Sequence, residues 1–289
     1  MKQIMRSKQN LFLSQKRKLQ EAGCEDFKES IKFMFAKAYN VPLDHVYEPQ
    51  NHEDLDKNDT LFLNMVNRRA AGEPVSHIIK SRSFWKNEFY IEETVLDPRP
   101  ESELIVEITK DSLFSGMKVL DLGCGSGCIG LSLYHENPEI RLFLSDMSDK
   151  ALNVAKKNAD NLGFTYEFFH SNLFEKIKEK FDLIVTNLPY IEKKDFLILQ
   201  KEIMLYEPHE ALYGGMSGID TIKLFLRDVG KRLKKNGTFV IEFGEGQDAL
   251  LRQELLKFKF SNFDFHRDLN CIPRVVCVKN GTQRTEERK

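Results

Sequence analysis

Charge of one sign is what this chain lacks most plainly: 43 Lys and Arg stand against 44 Asp and Glu, a formal charge of -1. A protein whose main task is to grip a polyanion needs a broad basic field, so that class is disfavoured and only a local basic face remains open to it. The five cysteines, Cys24, Cys124, Cys128, Cys271 and Cys277, are odd in number and lack Cys-x-x-Cys spacing. Free thiols in a cytoplasmic protein are therefore expected rather than a disulfide framework. The seven histidines form no ligand-spaced set, and Cys124 and Cys128 lie among glycines with no histidine nearby. Those two cysteines read as small packing residues, and no metal is expected. No apolar run reaches the roughly 20 residues of a transmembrane helix. The start, Met1-Lys2-Gln3-Ile4-Met5-Arg6, lacks the hydrophobic core of a signal peptide. Repeats and low-complexity segments are also missing. What is present is a globular composition, 41% hydrophobic and 30% charged over 289 residues, enough for one large or two modest domains.

The chain divides into unequal parts. From Gln9 to Ala71 apolar residues recur at helical spacing: Leu11, Leu13 and Leu19, then Phe27, Ile31, Phe33, Met34 and Phe35, then Leu61, Phe62, Met65 and Val66. Asn40-Val41-Pro42 and the polar stretch Glu48 to Asp59 punctuate them as loops, which predicts a small helical bundle. Glu88-Phe89-Tyr90-Ile91 and Thr94-Val95-Leu96 predict a short β-hairpin around Glu92-Glu93. The expected organisation is thus a helical domain over residues 1–84, a hairpin linker over 85–100 and a third part over 101–289.

Beyond Pro100, strand and helix patterns alternate. Helices are predicted at 101–113, 128–135, 150–162, 219–233 and 247–258, and strands at 118–122, 141–145, 166–170, 182–186, 237–242, 263–268 and 275–279. Such alternation predicts an α/β fold with a seven-stranded, mostly parallel sheet covered by helices on both faces. The last two strands have no long helix between them, so one antiparallel edge hairpin is expected. The basic run Lys231 to Lys235 falls at a helix end before Gly237, where the helix dipole favours cations. The tail Thr282 to Lys289 is expected to be disordered.

Two motifs carry chemistry. Asn187-Leu188-Pro189-Tyr190 follows the apolar run 181–186 and so falls at the C-terminal end of a buried strand, where open α/β sheets place ligands. The amide of Asn187 can accept and donate, Pro189 fixes the direction of the Leu188 carbonyl, and Tyr190 offers a flat aromatic wall. Together these groups form a socket for a planar –NH2 group. Taken alone the tetrapeptide is equally an ordinary strand-ending turn. The second motif, Asp121-Leu122-Gly123-Cys124-Gly125-Ser126-Gly127, joins a strand to a helix and lets the backbone approach a ligand at a helix N-terminus. Residues 125–130 also fit G-x-G-x-x-G, which several nucleotide-type binders share. Asp146 ends the next strand, where a carboxylate can accept bonds from two ribose hydroxyls. Dehydrogenases and methyltransferases share this half-site, but a dehydrogenase has no use for Asn-Leu-Pro-Tyr.

With these motifs in order, the chain resembles the PrmC/HemK family, the N5-glutamine methyltransferases that modify peptide chain release factors. The resemblance covers most of the chain and is strongest from about Arg68 onward. It is carried by Arg68-Arg69-Ala70-Ala71-Gly72-Glu73-Pro74-Val75, by Phe84-Trp85, and by Asp97-Pro98-Arg99-Pro100-Glu101-Ser102-Glu103. Tyr206-Glu207-Pro208, Ala211-Leu212-Tyr213-Gly214-Gly215 and Glu242-Phe243-Gly244-Glu245-Gly246-Gln247 add further blocks. Three positions depart from the family pattern: Leu188 replaces a proline, Asn172 an aspartate and Cys271 a glycine.

The resemblance implies a Rossmann-like class I methyltransferase that uses S-adenosyl-L-methionine. It implies cofactor contacts at Gly123, Cys124, Gly125, Ser126, Gly127, Asp146, Asn172, Leu173 and Asn187. Asn172 would accept from the adenine amino group through its amide oxygen, and Leu173 would lie against the ring. Substrate and catalytic contacts are implied at Asn187, Leu188, Pro189 and Tyr190, with no dedicated general base. The implied partner is a class I release factor bearing a Gly-Gly-Gln motif, docked with help from the helical domain. A monomer with no stable nucleic-acid or membrane partner is expected. A ribosomal-protein glutamine methyltransferase is the close rival, although that sister family departs from the Pro-Arg-Pro-Glu pattern of 98–101. The rival of a different class is an adenine-N6 nucleic-acid methyltransferase, which the near-neutral charge disfavours.

Overall fold

The structure is a computed structural model that describes residues 2–46, 55–199 and 201–280. Two compact units result. The first takes in Met1–Ser81 and Gln200–Tyr206; the second takes in Arg82–Leu199 and everything from Glu207 on.

The first unit contains α1 (Lys2–Glu21), α2 (Phe27–Tyr39), α3 (Leu55–Ala70) and α4 (Val75–Ile79). Phe35 is its centre, set edge-on to Phe12 at 5.4 Å and to Phe62 at 5.3 Å. Ile31, Met34, Leu19 and Val66 are fully buried around it. Asn40 ends α2 in the left-handed region at φ 52°, a conformation its short polar side chain tolerates. Arg69 is buried and paired with Asp26 at 2.7 Å and with Glu202 at 2.9 Å, which ties the returning segment to α3. Two expected core leucines face outward: Leu13 is 53% and Leu61 45% exposed, because helical spacing alone does not say which stripe is buried. Helix α3 also begins at Leu55, so the predicted loop stops short of Asp59; its residues 48–54 lie outside the described residues.

In the second unit a two-stranded hairpin comes first, β1 (Arg82–Phe84) and β2 (Asn87–Phe89), with Phe84 opposite Asn87. This corrects the predicted placement at 88–91 and 94–96. The turn is Trp85-Lys86, with Trp85 at φ 55° and its main-chain N–H donated to Glu103 at 2.7 Å. Phe84, Phe89, Ile91 and Val95 are buried in the same core as the sheet, so residues 85–100 are part of this unit and not a separate linker.

The chain then runs through α5 (Glu103–Thr109), β3 (Lys118–Leu122), α6 (Cys128–Glu136), β4 (Arg141–Asp146), α7 (Asp149–Leu162), β5 (Glu167–His170) and β6 (Phe181–Asn187). Two short helices, α8 (Lys193–Phe196) and α9 (Lys201–Tyr206), the second of which belongs to the first unit, precede α10 (Asp220–Arg232), β7 (Leu233–Glu242), α11 (Asp248–Lys257), β8 (Phe263–Arg267) and β9 (Pro273–Lys279). Neither short helix was expected from the pattern. The seven-stranded sheet has the order β5-β4-β3-β6-β7-β9-β8, parallel except for β9, which runs antiparallel between β7 and β8. That is the predicted parallel sheet with its antiparallel edge pair.

Period-two alternation splits the strand side chains between two cores. Val119, Leu183, Val185 and Val240 join α6 and α7 on one face, while Leu120, Ile184, Phe239 and Ile241 join α10 and α11 on the other. Cys124 and Cys128 are buried in the first of these cores, as small packing residues should be. Ser148 caps α7 by accepting from Ala151 N, and Gly163 closes it at φ 69°. Cys271 sits at φ 63° in the β8–β9 turn, a backbone conformation that suits glycine better. The predicted disordered tail lies outside the described residues.

Candidate active site

Strands β4 and β5 extend the sheet to one side of β3, and the chain returns with β6 on the other side. The crevice above the C-terminal ends of β3 and β6 is therefore the topological switch point, where such sheets bind ligands. Topology alone places the glycine loop beside Asn187-Leu188-Pro189-Tyr190, and the two motifs meet: a Cβ on Gly123 would lie 3.5 Å from Leu188 Cδ2.

The loop is built from main-chain bonds. Gly123 N and Cys124 N donate to the Ser145 carbonyl, at 2.7 and 2.9 Å. Gly125, at φ 54°, donates its N–H to Asp146 Oδ2 at 2.9 Å, and Ser148 N donates to Asp146 Oδ1 at 2.9 Å. Each carboxylate oxygen retains a lone pair for a ligand hydroxyl. Burial raises the Asp146 pKa, while the N–H groups of Ser148 and Gly125 work against the rise. Asp121 has a different role. It is 1% exposed, and its Oδ2 receives Gly130 N at 2.8 Å, which fastens the first turn of α6 to β3. Burial lifts its pKa to about 7.

Asn187 ends β6 directly beside Glu242 of β7. Its Nδ2 donates to Ser102 Oγ at 3.0 Å; Ser102 Oγ donates to Glu242 Oε2 at 2.5 Å; the Tyr190 hydroxyl donates to Glu242 Oε1 at 3.2 Å. The backbone after the tetrapeptide is clamped as well. Gln247 Nε2 donates to the Tyr190 carbonyl at 2.8 Å, and Gly214 N donates to Ile191 O at 2.9 Å. A Cβ on Gly214 would run into the Gly218 carbonyl and lie 2.6 Å from Tyr190 Cα, so only glycine allows this approach.

These elements enclose a cavity of about 730 Å³. Gly123, Cys124, Gly125, Ser126, Asp146, Asn172, Leu173, Asn187, Leu188 and Pro189 all line it. Two expected site residues do not. Gly127 turns the chain into α6 at φ 80° and packs toward Leu131 and Ala155. Tyr190, expected as an aromatic wall, does not line the cavity; its hydroxyl donates to Glu242. Asn172 donates Nδ2 to Glu175 Oε1 at 3.3 Å, which leaves its amide oxygen as the acceptor end. Arg99 and Glu207 belong to motif blocks whose pattern alone gives them no role. Arg99 Nη2 bonds both oxygens of buried Glu207, at 2.6 and 2.7 Å, and so holds Pro208, Ala211 and Tyr213 in the cavity wall. Ser102, Glu242 and Gln247 were visible only as members of motif blocks. Among the described residues, no group of three or more His, Cys, Asp or Glu side chains is placed to hold a metal ion. No described helix is long and apolar enough to cross a membrane.

The sheet order, the glycine loop and the Asn-Leu-Pro-Tyr strand end define a class I methyltransferase fold. The family described as Methyltransferase small domain matches residues 96–215. A methyltransferase structure from Pyrococcus furiosus superposes with a TM-score of 0.54 at 13% identity, over 76% of this chain and 99% of that one, which shows the shared fold. A release factor glutamine methyltransferase of Agrobacterium fabrum is 32% identical over 276 residues, 92% of this chain and 95% of the relative. The chain belongs to the release factor glutamine methyltransferase family. A bifunctional methyltransferase of Rickettsia prowazekii is 32% identical over 82% of this chain, and the chain spans about half of that longer protein, 50% of its length.

Proposed function

We propose that this protein transfers a methyl group from S-adenosyl-L-methionine to the side-chain amide nitrogen of the glutamine in the Gly-Gly-Gln motif of class I release factors. The observation that carries this reading is the Asn187 carboxamide, which stands beside the glycine loop with its nitrogen bonded inward to Ser102. Its oxygen is thereby the group offered to an incoming N–H.

The cavity suits the methyl donor. Its volume of about 730 Å³ falls in the range of cofactor sites. Gly125 and Ser126 bring main chain to the ligand, Asp146 faces the ribose hydroxyls, and Leu173 and Met147 offer apolar surface to the adenine. The donor supplies an electrophilic methyl group on a sulfonium, a good leaving group. A carboxamide nitrogen is a weak nucleophile because its lone pair is delocalised, so this chain must contribute orientation and electrostatics. Asn187 Oδ1 and the Leu188 carbonyl accept the two N–H bonds of the glutamine amide. They aim its nitrogen and stabilise the positive charge that develops on it. Pro189 keeps the Leu188 carbonyl in place. The helical first unit serves to dock the release factor.

The test incubates the protein with labelled donor and, separately, release factor, ribosomal proteins and ribosomal RNA. Label should enter release factor alone and be absent when the Gly-Gly-Gln glutamine is changed to alanine. Asn187→Ala should lower the rate by roughly 10²–10³ with donor affinity within a few-fold of wild type. Label in RNA with none in release factor would overturn the protein-substrate reading, and label in a ribosomal protein alone would move it to the sister activity.

A further inference from the structure

A buried carboxylate stands behind the socket without lining the cavity. Glu242 closes β7 beside Asn187 and is 1% exposed. Its Oε2 receives the Ser102 hydroxyl at 2.5 Å and its Oε1 the Tyr190 hydroxyl at 3.2 Å. A serine hydroxyl has one proton to give. Ser102 has given its proton to Glu242, so toward Asn187 its oxygen can only accept. The 3.0 Å contact between Ser102 Oγ and the Asn187 carboxamide is therefore an Nδ2–H donation. A carboxamide with its nitrogen turned inward presents its oxygen to the cavity. In the opposite orientation it would set its own N–H groups against those of the substrate.

We propose that Glu242 and Ser102 are positioning residues: through the Ser102 hydroxyl, the Glu242 carboxylate fixes which end of the Asn187 carboxamide faces the substrate nitrogen. What that oxygen receives rests on the methyl-transfer reading above; the direction of the hydrogen-bond chain rests on the side-chain geometry alone.

The chain is reversible in principle. A protonated Glu242 can donate to Ser102, whose hydroxyl is then released toward Asn187, and the carboxamide gains by turning over. Several groups face Glu242 and set where this happens. Burial lifts its carboxyl to about 7, although Ser102 and Tyr190 both donate to it; Glu101 pushes in the same direction and Arg274, on β9, opposes it. Tyr190 is held protonated by burial and by Glu242 itself, and the Cys128 thiol on α6 is held protonated chiefly by its own burial. Glu242 is thus the member of the group that titrates near neutrality, and the orienting chain is lost as pH falls through about 7.

Wild type, Ser102→Ala, Ser102→Thr and Glu242→Gln are compared in single-turnover methylation between about pH 6 and about pH 9, with donor affinity measured by calorimetry. The wild-type rate should rise with pH to a plateau above about 7. Ser102→Ala and Glu242→Gln should lower the plateau by roughly 10–100-fold, as loss of a supporting hydrogen bond commonly does. Both should flatten the rise, with donor affinity little changed. Ser102→Thr, which keeps the hydroxyl, should restore rate and profile. Full activity in Ser102→Ala and Glu242→Gln, or slower rates with the pH rise intact, would overturn the proposal. In parallel, the side-chain NH2 resonances of Asn187, assigned by their loss in Asn187→Ala, should shift with pH in wild type and stay fixed in Glu242→Gln. If wild type methylates none of the substrates offered, the functional reading fails by itself and this NMR titration decides: resonances that do not move in wild type overturn the positioning chain.

Discussion

Glu242→Gln is expected to make the protein more stable as it makes it slower, and the pH dependence of that gain follows from burial. The carboxyl is 1% exposed, and its pKa is raised from the ordinary 4.5 to about 7. Below about 4.5 the folded and unfolded chains both hold the proton, and Glu and Gln are near-isosteric and neutral. As pH rises above that value the unfolded chain releases the proton while the folded chain keeps it. Stability therefore falls with pH until the folded group also ionises near 7. A rise of about 2.5 at ~1.36 kcal/mol per pKa unit makes the total loss on the order of 3 kcal/mol. Glutamine has no such proton to lose. Its stability relative to wild type should therefore rise by on the order of 3 kcal/mol between about pH 4.5 and about pH 8. Asp121, also lifted to about 7 by burial, is present in both proteins and cancels in the difference. The side-chain –NH2 group that Glu242→Gln introduces adds a constant offset and no slope. Urea denaturation of both proteins at a series of pH values reads the difference curve. A curve flat with pH, or one that favours the variant only in acid, would refute the account of a costly buried charge.

Two further variants probe the donor side. Asp146→Ala removes the acceptor of Gly125 N and Ser148 N together with the expected ribose contact, and should weaken donor binding by about 1.5–3 kcal/mol; equal calorimetric affinity would make Asp146 a loop-bracing residue only. Gly125→Val places a β-branched residue at φ 54°, at a strain cost of about 1–3 kcal/mol, in a loop that lines the cavity, so donor titration should give no measurable heat while the circular dichroism of the chain is kept; unchanged affinity would remove this loop from the site.

The sheet was legible because parallel strands buried on both faces read as short apolar runs, and β3 coincides with its predicted range of 118–122. The two motifs were legible because each sits at such a strand end, and topology brings strand ends together. The hairpin was misplaced because its turn depends on Trp85 in a left-handed conformation that no turn residue announces. Thr94-Val95-Leu96 has strand-like composition but contributes buried Val95 without pairing. Leu13 and Leu61 were misread for want of a partner surface that would tell one helix stripe from another. The groups behind the socket were hidden for a different reason. Ser102 and Glu242 are 140 residues apart, and only the register of β6 on β7 together with the turn before α5 brings both to Asn187.

The same register explains why two unfavourable carboxylates are kept at one end of the sheet. Asp121 and Glu242 are each 1% exposed, and an apolar side chain in either place would spare the cost of desolvation. An apolar side chain could not do what either carboxylate does. Asp121 accepts Gly130 N and so fixes where α6 starts relative to the glycine loop. Glu242 accepts the hydroxyls of Ser102 and Tyr190 and so fixes both ends of the Asn-Leu-Pro-Tyr turn. Glu242 acts one hydrogen bond away from Ser102, which lines the cavity, and Asp121 braces the helix that follows the cavity-lining glycine loop, so each charge orients its neighbours without itself competing for the ligand. Neighbouring buried positions on the same strands, Leu120, Val240 and Ile241, are apolar and lie in the two cores. The local break in the hydrophobic rule thus marks the places where orientation of the site outweighs stability of the sheet.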